Sequence, residues 1–138
     1  MVAPLGNFLI WLSFLFAILQ FFVCKKSNLL KFINLSVYGL LISSVLSFFL
    51  LMYAYTVSDF TVLNVFENSH STKPLIYKIA GVWGNHEGSM LLWILVLTIF
   101  NYFIFKFYNK KNSKFILKTL ETQSFITIGF ILFGVPLI

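Results

Sequence analysis

The sequence predicts an all-α integral membrane protein with three full transmembrane helices, a short or incomplete fourth, and an outer-side loop that contains a short interfacial helix. Hydrophobic residues make up 59% of the 138 residues, charged residues only 10%, and the mean hydropathy is +0.93. A soluble domain of this length cannot bury so much apolar surface. The apolar residues also fall into four segments, so we expect a single membrane domain over 1–138 that is one piece of a larger bundle.

The first three apolar segments are long enough to span a bilayer. The segments 5–23 and 35–55 contain 19 and 21 residues and reach about 30 Å as helices. A third span is expected at 89–107, where Asn101 is an interior polar residue and Lys106 extends its ammonium group towards the interface. Each segment is therefore predicted to cross the membrane once.

The fourth apolar segment, 124–138, is shorter. As a helix it reaches only about 22 Å, and it ends at Pro136-Leu137-Ile138 without a polar flank. A free carboxylate within lipid is costly. We therefore expect another polypeptide to supply the next segment. Re-entry or local thinning of the bilayer, and truncation of a longer chain, are the alternatives.

The positions of the lysines predict the orientation. All ten basic residues are lysines, and eight of them lie in the connections 24–34 and 106–123. The loop 56–88 holds only Lys73 and Lys78, with three of the four acidic residues. The lysine-rich connections therefore face the cytoplasm or matrix, and the loop 56–88 faces the outer side. Because the lysines are confined to such connections, no nucleic-acid partner is expected.

Small residues predict a helix-packing face on the second span. Gly39, Ser43 and Ser47 are spaced by four residues, which lets two helices approach closely. The single cysteine, Cys24, is interpreted as a small hydrophobic residue at a helix end.

The outer loop is predicted to be irregular at first and helical later. Apolar and polar residues alternate loosely over 59–66, which favours an extended or irregular segment, and 67–72 is typical of a turn. Pro74 then begins a short helix that lies at the membrane surface, with Ser71 or Thr72 near its cap. Ser89 is expected to cap the third span.

Four residues around that helix start are the candidate cofactor-binding site: Trp83, His86, Glu87 and Trp93. An imidazole at position 86 could ligate haem iron, pair with a propionate or pass protons, or it could simply hydrogen-bond Glu87 or a backbone carbonyl. The two indoles could stack on a flat macrocycle or anchor the chain at the interface. No metal site is expected, because position 90, where a zinc protease motif has its second histidine, is Met90.

At these residues the sequence resembles a known family. The segments Asp59 to His70, Pro74 to Lys78 and Trp83 to Trp93 are similar to the amino-terminal region of CcmF, the large membrane subunit of the system I cytochrome c maturation machinery. The core of the resemblance is Trp83-Gly84-Asn85-His86-Glu87-Gly88-Ser89, and the apolar segments follow in the matching order.

The resemblance implies a component of a haem lyase. CcmF-like proteins accept haem from a haem chaperone and attach it to apocytochrome c through thioether bonds on the outer side of the membrane. The family's tryptophan-rich motif and haem-ligating histidines lie farther along the full-length protein and are not in this sequence. The chain is therefore not expected to be catalytic alone. Haem is expected to be bound mainly by partner chains, among them the remaining CcmF-like fragments, with membrane lipid around the bundle.

The lack of arginine and the abundance of Phe and Lys are typical of an AT-rich organelle genome. We therefore expect a mitochondrial split form in the inner membrane, with the loop 56–88 facing the intermembrane space. A bacterial inner membrane protein with a periplasmic loop is the alternative. Two other functions stay open: a purely structural assembly subunit, and a small membrane transporter component. The second is disfavoured because the spans carry no Asp, Glu or Arg at their centres.

Overall fold

The computed structural model describes residues 2–25, 30–60, 63–84, 86–107 and 113–134. The described residues form six helices, which are α1 (Val2–Val23), α2 (Leu30–Thr56), α3 (Leu63–Asn68), α4 (Leu75–Gly81), α5 (His86–Lys106) and α6 (Ser113–Gly134). Four of them, α1, α2, α5 and α6, are long and apolar enough to cross a membrane. The predicted all-α membrane class is confirmed.

The four long helices form a ring in chain order. Helix α1 packs against α2 and α6, and α5 packs against the same two helices. Consecutive membrane helices are thus neighbours, as in an up-down four-helix bundle. Helix α4 packs on α2, which places the segment between α2 and α5 at one end of the bundle.

Two apolar clusters fill the ends of this bundle. The loop-end cluster lies beside α3 and α4, and its buried residues are Ile10, Phe48, Leu51, Ala54, Tyr55, Val65, Val82, Leu91, Ile94 and Ile131. The lysine-end cluster lies at the opposite end and contains Val23, Cys24, Ile33, Val37, Ile116, Leu117 and Leu120. Burial of these side chains orients each helix, and the polar groups between the clusters lie inside the bundle.

A polar layer separates the two clusters. Gln20 Nε2 donates to Asn101 Oδ1 (2.9 Å) and to the carbonyl oxygen of Leu120 (3.0 Å), while Asn101 Nδ2 donates back to Gln20 Oε1 (2.8 Å). This amide pair joins α1 and α5, which are diagonal in the ring, and also reaches α6. Ser44 and Thr98 hydroxyls lie 2.9 Å apart and link α2 to α5. The layer therefore connects all four membrane helices, because buried polar groups in such a bundle need partners from neighbouring helices.

Close packing between α1 and α2 occurs at Gly39. A Cβ added there would come within 2.6 Å of the Phe16 ring. One turn further, Ser13 Oγ donates to Ser43 Oγ at 2.8 Å. Ser47 is also buried, and its hydroxyl donates within α2 to the carbonyl oxygen of Ser44 (2.9 Å). Of the three predicted packing residues, Gly39 and Ser43 thus contact α1 directly.

The fourth membrane helix differs most from its predicted bounds. It begins at Ser113, 11 residues before the expected start at position 124, and has 22 residues. Its early turns carry Lys114, Lys118 and Glu121, which lower the local hydropathy, yet Leu117 and Leu120 are buried against the bundle. Tertiary packing therefore extends the helix into the lysine-rich connection. The expected ending at 136–138 lies outside the described residues.

Candidate functional site

The candidate site begins where α2 ends. Ser58 has a left-handed backbone (φ 56°), its N–H donates to the Tyr55 carbonyl oxygen (3.2 Å), and the N–H of Asp59 donates to the Ala54 carbonyl oxygen (2.9 Å). These two bonds form a Schellman motif, in which a left-handed residue satisfies the last carbonyls of a helix. The chain therefore reverses sharply and returns across the end of the bundle.

Two valines attach this returning segment to the bundle. Val65 on α3 and Val82 just after α4 are fully buried in the loop-end cluster. A Cβ added at Gly81 would meet the Tyr55 ring at 3.5 Å, so α4 lies directly on the end of α2. The expectation of an irregular segment over 59–66 is wrong for its later part, because α3 begins at Leu63 and packs Val65 inwards.

Helix α4 confirms the predicted short helix after Pro74. It runs from Leu75 to Gly81 with Pro74 itself at the N-cap, a few residues after Ser71 and Thr72, and no side chain caps it. Three consecutive large apolar side chains on α4 are exposed: Leu75, Ile76 and Tyr77. An apolar surface of this kind is typical of contact with a membrane interface or a partner protein.

The four predicted site residues flank the junction between α4 and α5. Trp83 follows α4 in a turn, where the Gly84 N–H donates to the Gly81 carbonyl oxygen (3.3 Å), and its indole is 42% exposed. His86 and Glu87 form the start of α5, and their side chains lie outside the described residues. Helix α5 thus begins three residues before the expected cap at Ser89.

Trp93 lies further along α5, and its indole is 55% exposed. Positions 86 and 93 are seven residues apart, which corresponds to about two turns and the same side of a helix. Position 86 and Trp93 therefore lie on the same side of α5, and Trp83 lies just before the start of this helix. Phe100, seven residues further along α5, continues this spacing and is exposed.

The second histidine belongs to the surface of the loop. His70 is exposed, and its Nδ1 lies 2.8 Å from Thr72 Oγ1. Lys73 Nζ donates to the Asn68 carbonyl oxygen nearby (3.2 Å). Within the described ranges, no three His, Cys, Asp or Glu side chains come together as metal ligands.

Sequence reasoning missed the partner of Asn101. The sequence identifies Asn101 only as an interior polar residue of the third span, whereas in the structure it is 1% exposed and paired with Gln20. Gln20 carries an amide inside the first span and lies seven residues after Ser13, which was the available signal. Because the Asn101 amide is engaged inside the bundle, the structure lends no support to a transporter path at this residue.

Comparisons with known proteins agree with this architecture. No protein-family model matches the chain. The cytochrome c-type biogenesis protein CycK of Rhizobium meliloti is 52% identical over 87 residues, which is 63% of this chain and 13% of CycK. The cytochrome c-type biogenesis protein CcmF of Haemophilus influenzae is 33% identical over 139 aligned residues, which cover 96% of this chain and 22% of that protein. The chain thus spans about a fifth or less of the length of these relatives.

A solved structure has the same fold. The cytochrome c heme lyase CcmF superposes with a TM-score of 0.86 over 95% of this chain and 23% of its own, at 23% sequence identity. The bundle, its loop-end segment and these relatives define a helical membrane protein related to the cytochrome c-type biogenesis proteins. The chain belongs to the CcmF family, as the resemblance at Trp83–Ser89 indicated.

Proposed function

We propose that this chain is a component of a cytochrome c haem lyase that helps to position haem and apocytochrome c for thioether attachment on the outer side of the membrane. The observation that carries the proposal is the 33% identity to Haemophilus influenzae CcmF over 96% of the chain. Apolar spans alone could resemble one another through hydropathy, but a match of this extent also includes the polar segment between α2 and α5. That segment holds the candidate site.

The proposed role of the site is to form one wall for haem. Trp83 and Trp93 offer exposed indole faces at the loop end, and an indole stacks well on a flat macrocycle. His86 and Glu87 begin a membrane helix, whose amino terminus favours negatively charged groups such as a propionate. In this proposal the four residues orient haem and do not carry out the bond-forming step.

The cavity that the described residues form near the candidate site is small. The cavity at the loop end of α5 and α6 has a volume of about 240 Å³ and is lined by Met90, Ile126, Gly129 and Phe130. Ligand pockets usually have volumes of about 300–1,000 Å³. We therefore assign most of the haem contacts to partner chains: the remaining CcmF-like fragments, with a haem chaperone and apocytochrome c as transient partners.

The proposal includes a cellular location, which rests on the lysines and on the composition of the chain. The chain has four helices able to cross a membrane, and we place the segment between α2 and α5 on the outer side because the connections rich in lysine face inwards. An arginine-free composition favours the mitochondrial inner membrane and a split form of the protein. The named relatives are bacterial, and a bacterial inner membrane with a periplasmic segment is the alternative.

The first test is purification of the tagged chain from its native membrane in a mild detergent. We expect CcmF-like polypeptides and a haem absorption band to be recovered together with it. Recovery of an isolated, haem-free chain would contradict a role in an assembled lyase. Recovery of the partners with haem bound equally well by all site variants would favour the purely structural subunit.

Substitutions at the site give the sharper test. We expect His86→Ala and Trp83→Ala to lower cytochrome c maturation on the order of tenfold while leaving assembly of the complex intact, as for other supporting groups around a cofactor. His70→Ala and Trp11→Ala are matched controls, because both side chains are exposed and lie outside the site. Normal maturation by either site variant in an assembled complex would show that the site assignment is wrong.

A further inference from the structure

A second candidate site lies at the opposite end of the bundle. A surface cavity of about 520 Å³ opens between the end of α1 and the first turns of α6. Its lining residues are Cys24, Lys25, Lys114, Leu117, Lys118 and Glu121. None of these residues belongs to the site around Trp83, so this cavity is independent of any role in haem attachment.

The charge of this cavity favours an anion. Three ammonium groups face a single carboxylate, that of Glu121, so the lining is positive by two charges at neutral pH. Lys114 and Lys118 are one turn apart on α6 and therefore share a side of the helix. Lys25 Nζ lies 4.5 Å from the centroid of the Phe21 ring, a cation–π contact that holds the ammonium group close to the helix end.

The cavity lies at the level of the lipid head groups in the bilayer. The apolar stretch of α1 ends at Val23, immediately before Cys24 and Lys25, and the apolar stretch of α6 begins at Lys114. Lysines at such helix ends extend their ammonium groups to the phosphate level of the bilayer. This end carries most of the lysines and faces the cytoplasm or matrix by the positive-inside rule, where anionic lipids meet basic pockets between helices.

Two further cavities with mainly apolar linings follow along the seam between α5 and α6 and form the α5–α6 groove. Lys118 also lines a second cavity of about 400 Å³, together with Leu97, Phe115, Thr122 and Ile126. Ile126 in turn borders the 240 Å³ cavity that contains Gly129. From Lys118 to Gly129 the helix rises by about 16 Å, which is close to half of the ~30 Å hydrocarbon core.

We propose that this end of the bundle binds an anionic phospholipid, with its phosphate among Lys25, Lys114 and Lys118 and one acyl chain along the α5–α6 groove. The lysines alone would suit any phosphate. The groove distinguishes a lipid, because it begins at a lysine and extends over the depth of one leaflet. Gly129 keeps the far end of the groove open, since an added Cβ would meet nothing within 4 Å.

The test measures lipid retention by the purified chain. After delipidation in detergent, the chain is incubated with dioleoyl phosphatidylglycerol or dioleoyl phosphatidylcholine, and the bound lipid is counted by native mass spectrometry. We expect clear preference for phosphatidylglycerol. A basic residue near an anionic surface contributes about fivefold in affinity, so K114Q/K118Q should weaken binding ~30-fold. The control K73Q/K78Q makes the same charge change at the loop end and should retain the lipid.

Two further variants separate the possible ligands. Glu121→Gln removes the opposing carboxylate and should strengthen phosphatidylglycerol binding about fivefold, a gain that unfolding cannot produce. Gly129→Leu fills the groove and should weaken lipid binding without changing the charge. The proposal would be overturned if the chain bound the two lipids equally, or if K73Q/K78Q lost as much lipid binding as K114Q/K118Q. It would also be overturned if Gly129→Leu bound the lipid as well as the unchanged chain, or if millimolar inorganic phosphate displaced the lipid.

Discussion

At the scale of single residues, Gln20 and Asn101 show how this bundle tolerates polar side chains in its interior. Each amide is both donor and acceptor to the other, and Gln20 also donates to a carbonyl oxygen of α6. An unpaired amide in an apolar surrounding is costly, whereas a reciprocal pair leaves few groups unsatisfied. The pair therefore acts as a specific link between diagonal helices.

We predict that Gln20→Leu lowers the free energy of unfolding by about 1–2 kcal/mol, because it leaves the Asn101 amide without its partner. Asn101→Leu should have a similar effect. The double variant should be less destabilised than the sum of the two, since neither amide is then left unpaired. Unfolding in mixed detergent micelles, followed by circular dichroism, measures this. Strict additivity would show that the pair contributes no coupling.

Cys24 provides a prediction on pH dependence. Burial and, to a smaller extent, the nearby carboxylate of Glu121 together raise the pKa of its thiol to about 12. The folded state thus favours the neutral thiol. This stabilisation is fully present below the ordinary pKa of 9.0 and is lost as the pH rises towards 12.

Alkylation of Cys24 by iodoacetamide tests this shift, because only the thiolate reacts. At pH 8 the thiolate fraction in the folded chain should be about a thousandfold below that of an unperturbed cysteine. Labelling measured by mass spectrometry should therefore be slow in mild detergent and fast after denaturation. Equal rates in the two states would contradict the burial of this thiol. The chain has a single cysteine, so the signal has one source.

At the scale of helices, α6 shows how packing overrides hydropathy. Its first turns are rich in charged and polar residues, and a search for continuous apolar residues places the helix start too late. The positions Ile116, Leu117, Leu120, Ser124 and Thr127 are nevertheless buried and recur at helical spacing. The helical spacing of these residues was present in the sequence. Only the packing of α6 against α1 and α5 shows that this side of the helix is buried.

The contact between α1 and α2 depends on Gly39. We predict that Gly39→Ala lowers stability by about 1 kcal/mol, because the new methyl group overlaps the Phe16 ring and forces it to move. Gly129→Ala on α6 is the matched control. Its methyl group meets no atom within 4 Å and removes a flexible residue from a helix, so stability should be unchanged or higher.

The Gly39 prediction has a second measure. In a Phe16→Ala background the ring is absent, so Gly39→Ala should cost little. Thermal unfolding of the four variants in detergent gives the coupling between the two positions. Equal costs of Gly39→Ala with and without the Phe16 ring would mean that the two helices do not approach as closely as the structure indicates.

At the scale of the whole molecule, the segment between α2 and α5 is part of the bundle and not a free loop. Val65 and Val82 complete the loop-end cluster, and α4 lies on the end of α2. The exposed side chains Phe66, Ile76 and Trp83 remain on the other side of this segment. The segment therefore holds the candidate site in a fixed position relative to the membrane helices.

We predict that Val82→Ser loosens this attachment, because it replaces a fully buried apolar side chain with a polar one. Hydrogen exchange of the α4 amides should accelerate about tenfold, which corresponds to ~1.4 kcal/mol of local stability. Ile76→Ser changes an exposed side chain of the same helix and should leave exchange unchanged. Similar acceleration in both variants would show that α4 is not anchored through Val82.

The sequence by itself determined the membrane class, the first three spans to within a few residues at most ends, the short helix after Pro74 and the family. These follow from local properties: long apolar segments, a proline at a helix start, and the specific residues from Trp83 to Ser89. The orientation and the roles of Trp83, His86, Glu87 and Trp93 stay predictions.

Only the tertiary structure decided which polar residues meet and which surfaces stay open. Gln20 and Asn101 are 81 residues apart in the chain, and no local pattern pairs them. The same holds for Val65 and Val82, whose burial depends on the bundle end beneath them. It also holds for Lys25, just after α1, and the two lysines of α6 that line the same cavity. Such contacts arise from the arrangement of the helices in the ring, because packing between distant segments is a property of the whole fold.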